Sequence, residues 1–246
     1  MGEPVDPSGA GGGNPGTGPR AAFFDVDGTL TAEPTIFRFL EYLLAAQGHP
    51  PSAYERERRR LQTMTTAGLP RSRALHMYFR NYAGLAADLV AEVGEAWFAS
   101  ELRGADLFNP TGLGAFRRHA AAGDLLVLVS GSFSACLDPL SRHLAADETI
   151  CTQPEIRAGT YTGRITVSMV GQSKAAAVAR LATERGISVA QSWGYGDHIS
   201  DLPLLETVGH PVIVGDDREM VALAGRRGWT RLPPLPPTLG GLPTSP

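Results

Sequence analysis

Residues 21–31, AAFFDVDGTLT, place two aspartates one residue apart at the end of a short apolar run. The run has no polar alternation, which is typical of a strand buried on both faces of a parallel sheet. Residues i and i+2 of a strand point to the same side, so Asp25 and Asp27 leave the sheet edge towards one spot. Two carboxylates so close raise each other's pKa or need a cation between them. The rest of the chain must therefore show whether it supplies a cation for this pair.

The rest of the chain alternates between short apolar runs and longer helical patterns, which indicates an α/β fold with a parallel sheet covered on both faces. Residues 150–167 interrupt this rhythm and predict a strand and a hairpin that turns near Ala158–Gly159. Further strands are predicted at 125–130, 192–197 and 211–215, and helices at 112–122, 133–145, 174–185, 200–207 and 217–227.

One long interval contains only helical patterns. Between Leu30 and Thr111 the sequence predicts four amphipathic helices and no strand. We therefore expect a helical cap at 33–105, inserted into a core formed by 20–32 and 106–232. The cap follows the carboxyl end of the first strand, and open parallel sheets bind their ligands at that edge.

Composition excludes several functional classes. Of the 246 residues, 43% are hydrophobic and 19% are charged, as in an ordinary globular protein. The net charge of −3 gives no basic footprint for nucleic acid, and no apolar run is long enough to span a membrane. With no secretory signal and only two cysteines, Cys136 and Cys151, the expected location is the cytoplasm. The Gly- and Pro-rich ends, 1–19 and 233–246, are predicted to be disordered tails.

Two further aspartates extend the acidic pair. The segment YGDHISD, 195–201, places Asp197 at the end of a predicted strand and Asp201 one helical turn later. Several carboxylates at one sheet edge favour Mg²⁺, which takes oxygen ligands and keeps open water positions. A phosphate oxygen would bind on the open side of such a cation.

Two other segments supply donors for an anion. The segment LVLVSGSFSAC, 126–136, ends a strand in Ser130-Gly131-Ser132 and opens a helix, so it offers a hydroxyl and free backbone N–H groups. Lys174 begins another predicted helix and supplies a fixed positive charge. Together with the aspartates, these groups are the parts needed for phosphoryl transfer through an aspartyl-phosphate.

These motifs, in this order, resemble those of the haloacid dehalogenase-like superfamily. FFDVDGTLT, LVSGSFS, Lys174 and GYGDHISDLPLLE are similar to the four motifs of its phosphoserine phosphatase-like subfamily IB. The resemblance covers 20–232 and implies a three-layer Rossmann-like core with a C1-type helical cap. It also implies a Mg²⁺-dependent phosphatase that acts on a small phosphorylated metabolite, as a monomer or homodimer.

The resemblance assigns the chemical steps to the first and last motifs. Asp25 would attack phosphorus, while Asp27 would protonate the leaving alcohol and then deprotonate the hydrolytic water. Mg²⁺ would be held by Asp25, Asp197 and the backbone carbonyl of Asp27. Mg²⁺ and Lys174 keep Asp25 ionised, whereas a second nearby carboxylate raises the pKa of Asp27 towards that of an acid catalyst.

The resemblance also assigns binding and supporting roles. Ser130, Gly131 and Lys174 would bind the phosphoryl oxygens, and Lys174 would also steady the nucleophile. Asp201 would orient Lys174 or a metal-bound water, and Thr29 belongs to the first motif as a supporting residue.

Three residues are candidates for contacts with the substrate. Glu33 follows the first motif, where phosphoserine phosphatases carry a selecting glutamate, His198 lies in the last motif, and Arg71 lies in the predicted cap. Gly28 and Ser200 depart from the phosphoserine phosphatase pattern, so the substrate stays open. A phosphotransferase or mutase, and a catalytically silent binding protein on the same fold, are the alternative interpretations.

Overall fold

A six-stranded parallel sheet forms the centre of the molecule. The computed structural model describes residues 18–104 and 106–234. The described residues form the strands β1 (Ala21–Phe24), β2 (Leu125–Ser130), β3 (Glu148–Cys151), β4 (Gln153–Arg157), β5 (Thr160–Val167), β6 (Trp193–Gly196), β7 (His210–Val214) and β8 (Thr230–Leu232). Strands β4 and β5 form a separate hairpin, and the other six form the sheet. The order across the sheet is β3-β2-β1-β6-β7-β8, and all five neighbouring pairs are parallel. Strand β1 therefore lies between β2 and β6.

Helices cover both faces of this sheet. They are α1 (Thr35–Ala46), α2 (Pro51–Thr66), α3 (Arg71–Tyr78), α4 (Ala87–Glu101), α5 (Pro110–Ala122), α6 (Ser134–Leu144), α7 (Gln172–Arg185), α8 (Leu202–Leu205) and α9 (Arg218–Arg227). Alternate residues of β1 point to opposite faces: Phe24 packs in the cluster that includes α5 and α6, and Phe23 in the cluster that includes α7 and α8. This is the predicted three-layer arrangement.

Four helices, α1–α4, form the insert between β1 and α5, as predicted. Aromatic side chains join the insert to the core: the ring of Phe133 lies 5.8 Å from that of Phe39 and 5.1 Å from that of Tyr82. On α4, Gly94 lies so close to α6 that a Cβ would be 2.1 Å from the carbonyl oxygen of Ala135. The insert is thus packed tightly against the core.

The hairpin of β4 and β5 ties the core to the same helices. It turns at Ala158 and Gly159, both with positive φ, where the sequence predicted the turn. The N–H of Gly84 donates to Tyr161, and the N–H of Tyr161 donates back to Leu85, both at 2.9 Å. These backbone bonds fix the carboxyl half of the insert.

Two predictions of secondary structure were wrong in detail. Strand β8 was missed because it is three residues long, lies at the sheet edge and exposes Thr230 and Arg231, so it has no apolar run. The helix expected at 200–207 is a 3-10 turn followed by the single turn α8. The helix ends early because the Thr207 hydroxyl donates to the Pro203 carbonyl, and the chain then brings Gly209 into close contact with the backbone of Ala190.

The predicted tails fall largely outside the described residues, at 1–17 and 235–246. The exact boundaries of core and cap stay predictions. Within the described ranges, no helix is both long enough and apolar enough to cross a membrane.

We predict that Gly112→Ala destabilises the fold by about 1–3 kcal/mol, because overpacking forces backbone shifts. A Cβ at Gly112 would lie 1.9 Å from the carbonyl oxygen of Thr29, so α5 presses directly on the loop after β1. Gly114→Ala on the same helix is the matched control, since its nearest neighbour is the Arg118 side chain at 3.7 Å. The control should be neutral or stabilising. Equal urea-denaturation midpoints for the two variants would contradict this close packing.

Candidate active site

Three adjacent strand ends bring the motif residues together. Asp25 follows β1, Ser130 ends β2 and Asp197 follows β6. Because β1 lies between β2 and β6 and all three run parallel, their carboxyl ends meet at one edge of the sheet. The sheet order therefore converts three distant sequence segments into neighbours.

The loop after β1 is a tight turn built around one carbonyl. The Val26 oxygen accepts the N–H groups of Thr29, Leu30 and Thr31 at 2.8–3.2 Å. Gly28 has φ +91°, and a Cβ there would lie 2.3 Å from Oδ2 of Asp197. Glycine is thus required both by the backbone conformation and by the approach of the Asp197 carboxylate.

Three carboxylates form a cluster at this edge. Asp25, Asp197 and Asp201 each offer an oxygen, and these oxygens lie within 4.8 Å of one another. The Thr29 hydroxyl donates to Oδ1 of Asp197 at 3.1 Å, which fixes that side chain. Asp25 and Asp201 are buried, so their charges are poorly screened by solvent.

Lys174 is the cation within this cluster. Its Nζ donates to Oδ1 of Asp25 at 2.5 Å and to Oδ1 of Asp201 at 2.7 Å, and its side chain is 4% exposed. Lys174 is also the only lysine in the sequence, and the other 21 of its 22 lysine and arginine residues are arginine. A compact ammonium can sit between two buried carboxylates where the planar fork of arginine would demand more space.

The charges of the cluster do not balance without a further cation. Burial raises the pKa of Asp25 well above its ordinary value, and Asp201 raises it further, against the opposing effect of Lys174. Burial likewise raises the pKa of Asp197 to about 6. Burial alone would lower the pKa of Lys174, but Asp201 and Asp25 outweigh it and raise that pKa. One ammonium therefore faces three carboxylates, and this oxygen-only donor set fits Mg²⁺.

Asp27 lies apart from this cluster, although it is two residues from Asp25. Its Oδ1 accepts hydrogen bonds from the backbone N–H and the hydroxyl of Thr35, both at 2.7 Å. The pKa of Asp27 is raised, in the predicted direction, but the main cause is burial and not a neighbouring carboxylate. The hydrogen bonds from Thr35 oppose that rise. Its side chain is not among the clustered carboxylates.

The turn after β2 is preorganised. The Ser130 hydroxyl is buried and accepts the N–H of Ser132 at 2.9 Å. Gly131 follows, and α6 begins at Ser134, so the turn precedes a helix N-terminus as predicted. Lys174 is the third residue of α7 and approaches from the other face of the sheet.

The three proposed substrate contacts differ in position. Nη1 of Arg71, at the start of α3, donates to the Ser200 hydroxyl at 3.1 Å and so bridges the cap to the last motif. Nδ1 of His198 accepts the N–H of Ser200 at 3.0 Å, which makes His198 a cap for the short turn, and burial lowers its pKa. Glu33 is exposed, and no described side chain bonds to its carboxylate; its backbone carbonyl accepts the Thr31 hydroxyl at 3.0 Å.

Sequence reasoning missed Thr35 and Asn109. Thr35 is the first residue of α1, and its position after Pro34 signals a helix start but not the bond to Asp27. Asn109 precedes Pro110, a recognisable cap signal, and indeed its side chain accepts from Thr111 and Gly112. Its Nδ2 also donates to the Gly28 carbonyl at 3.2 Å, a contact that only the tertiary fold reveals.

We predict that Lys174→Met destabilises the metal-free protein by about 3 kcal/mol near pH 8, because it leaves buried carboxylates unpaired. The loss should be smaller near pH 5. The pKa of Asp25 is already raised in the folded state and would rise further in the variant. At low pH the buried Asp25 carboxyl is therefore protonated and uncharged, whereas its ionisation destabilises the fold as pH increases. Urea denaturation in EDTA at the two pH values measures the effect.

Two further variants test this charge argument. Asp201→Asn in the Lys174→Met background should restore part of the stability, because it removes one unpaired carboxylate. Arg142→Met is the control, since Arg142 pairs with Glu95 on the surface, where ion pairs contribute little. A destabilisation by Lys174→Met that does not change between the two pH values would contradict the account.

Comparison with known proteins agrees with this geometry. A protein from Mycobacterium tuberculosis named a probable phosphatase is 36% identical over 111 residues, which are 45% of this chain and 39% of that protein. The chain thus spans about two fifths of the length of this relative. A structure of a protein of unknown function from Bordetella pertussis Tohama I is 26% identical, with a TM-score of 0.78, and the match covers 88% of this chain and 99% of that one.

A phosphoserine phosphatase solved as an analogue of its phospho-aspartyl intermediate has the same fold. Its TM-score is 0.61 at 16% identity, over 84% of this chain and 90% of that one. The family model for haloacid dehalogenase-like hydrolases matches residues 22–206, which include every motif residue described above. The chain belongs to the haloacid dehalogenase-like hydrolases.

Proposed function

We propose that the protein is a Mg²⁺-dependent phosphatase that hydrolyses a phosphate monoester of a small metabolite through an aspartyl-phosphate. The observation that carries this proposal is the buried ion pair of Lys174 with Asp25, set among the carboxylates of Asp197 and Asp201 at the sheet edge. The relative named a probable phosphatase supports the same class of reaction.

Asp25 is the proposed nucleophile. Lys174 holds its Oδ1, so the attacking oxygen in this proposal is Oδ2. In the first step a bond forms between Asp25 and phosphorus while the bond from phosphorus to the leaving oxygen breaks. Water then attacks phosphorus, which releases phosphate and restores the carboxylate.

The proposed metal ligands are Asp25, Asp197 and the backbone carbonyl of Asp27. When bound, Mg²⁺ neutralises the carboxylates and stabilises negative charge on the phosphoryl oxygens. Thr29 fixes Asp197 for this task, and Asp201 keeps Lys174 in place between two carboxylates.

Ser130, Gly131 and Lys174 would bind the phosphoryl oxygens, since the N–H of Ser132 already donates to the Ser130 hydroxyl. Such donors are preorganised, because the turn is already closed by the bond from Ser132 to Ser130. Preorganised donors in a buried site stabilise the charge of a transition state without having to reorient during the reaction.

Asp27 is the proposed acid and base. A carboxyl with a raised pKa retains a proton that it can donate to the leaving alcohol, and it can then accept a proton from the attacking water. Its separation from the Asp25 cluster allows the two aspartates to hold opposite protonation states.

The helical insert would select the leaving group. Arg71 already reaches the Ser200 hydroxyl across the cap–core boundary, so the cap lies over the last motif. Of the three candidate contacts, Arg71 and His198 both bond Ser200 of the last motif, whereas Glu33 is exposed; all three stay proposed contacts with the substrate. Such a cap excludes water from the phosphoenzyme until the alcohol has left.

We predict that Asp25→Asn lowers Mg²⁺-dependent release of phosphate from p-nitrophenyl phosphate by at least about 10³-fold, since it removes the nucleophile. EDTA should abolish the wild-type activity and added Mg²⁺ should restore it. Asp88→Asn is the control, because Asp88 is an exposed residue of the cap helix α4. Phosphate release that survives Asp25→Asn, or that ignores EDTA, would overturn the proposed function.

A further inference from the structure

The carboxyl group of Asp27 is held by one of its two oxygens only. Oδ1 accepts two hydrogen bonds from Thr35, one from the backbone N–H and one from the hydroxyl, each at 2.7 Å. Within the described residues, no donor bonds to Oδ2. The side chain therefore has one fixed oxygen and one that is available to a bound molecule.

Thr35 is itself firmly placed. It is fully buried, and it is the first residue of α1, where the cap begins. Its hydroxyl oxygen also lies 3.0 Å from the hydroxyl of Ser132, in the turn after β2. A threonine hydroxyl has one proton, and a carboxylate is a stronger acceptor than a hydroxyl. The single Thr35 proton is therefore assigned to Asp27, which makes Ser132 the donor in its contact with Thr35.

This arrangement connects three parts of the site. Ser132 belongs to the core turn that would bind phosphate, Thr35 to the start of the cap, and Asp27 to the loop after β1. The direction of donation, from Ser132 to Thr35 to Oδ1 of Asp27, leaves Oδ2 as the oxygen that can carry a proton.

Resting on the proposed function, we propose that Thr35 is a positioning residue that turns Oδ2 of Asp27 towards the leaving oxygen of the substrate. As Oδ2 of Asp25 bonds to phosphorus, the bond from phosphorus to the leaving oxygen breaks, and that oxygen takes the proton of Asp27. In the second step the attacking water returns a proton to the same oxygen of Asp27. Without the Thr35 hydroxyl, only the backbone N–H of Thr35 holds Oδ1 of Asp27, so the side chain is oriented less firmly and proton transfer is slower.

The proposal predicts a dependence on the leaving group. Phenyl phosphate and p-nitrophenyl phosphate differ only in the para nitro group, but phenolate is a much more basic leaving group and needs the proton more. The value of kcat/KM reports the steps up to release of the phenol, so it isolates the first proton transfer. Loss of correct positioning should therefore reduce kcat/KM for phenyl phosphate selectively.

The test compares Thr35→Val, which keeps the shape and the backbone N–H, with Thr35→Ser, which keeps the hydroxyl. Thr35→Val should lower kcat/KM for phenyl phosphate roughly 10-fold more than for p-nitrophenyl phosphate, a part of the 10²–10⁴-fold typical of acid catalysis. Thr35→Ser should restore the ratio to within about threefold of the wild type. Equal losses on both substrates would overturn the proposal.

Two controls separate positioning from folding. Thr149→Val removes a hydroxyl that bonds Ser141 at 2.9 Å on the outer strand β3, and it should leave the ratio unchanged. In an Asp27→Asn background, Thr35→Val should cause no further change in the ratio, because the acid is already absent. A further selective loss in that background would contradict the proposal. If the wild type shows no Mg²⁺-dependent release that Asp25→Asn removes, the proposed function fails first, and this inference with it.

Discussion

The ion pairs of Lys174 with Asp25 and Asp201 are the interaction on which the rest of the site depends. An ammonium that is 4% exposed holds two buried carboxylates at 2.5 and 2.7 Å, and a third carboxylate, Asp197, lies beside them. Buried charges are tolerated only when they are paired. The surplus of negative charge accounts for a buried lysine between Asp25 and Asp201, and it is the reason to propose that a further cation binds here.

The fold supplies this arrangement through the order of its strands. Because β1 is flanked by β2 and β6, the segments that carry Asp25, Ser130 and Asp197 end at one edge. The turn after β1 then has little freedom: Gly28 lies under the Asp197 carboxylate, and Gly112 of α5 presses on the backbone of Thr29. Chemistry and packing are thus fixed by the same few residues.

The sequence was sufficient for the sheet, for the helical insert and for the residues that meet at its edge. Parallel strands bring their carboxyl ends to the same edge of a sheet, so residues that directly follow predicted strands could be predicted to lie close together. The sequence did not predict contacts that depend on where α1 begins in the tertiary structure, such as the bonds from Thr35 to Asp27. It also did not predict the edge strand β8, because the side chains of this strand are half exposed or exposed. It also assigned the raised pKa of Asp27 to a neighbouring carboxylate, whereas burial by the cap and core is the main cause.

The atom that receives the phosphoryl group distinguishes Asp25 from the other carboxylates as the nucleophile. Rapid acid quench during turnover of p-nitrophenyl phosphate, reduction of the acyl phosphate with borohydride, and mass spectrometry of the peptides locate that atom. We predict reduction at Asp25 alone, and its absence when Mg²⁺ is removed. Turnover with no reduced carboxyl group, or with reduction at Asp27 or Asp197 in place of Asp25, would contradict the account.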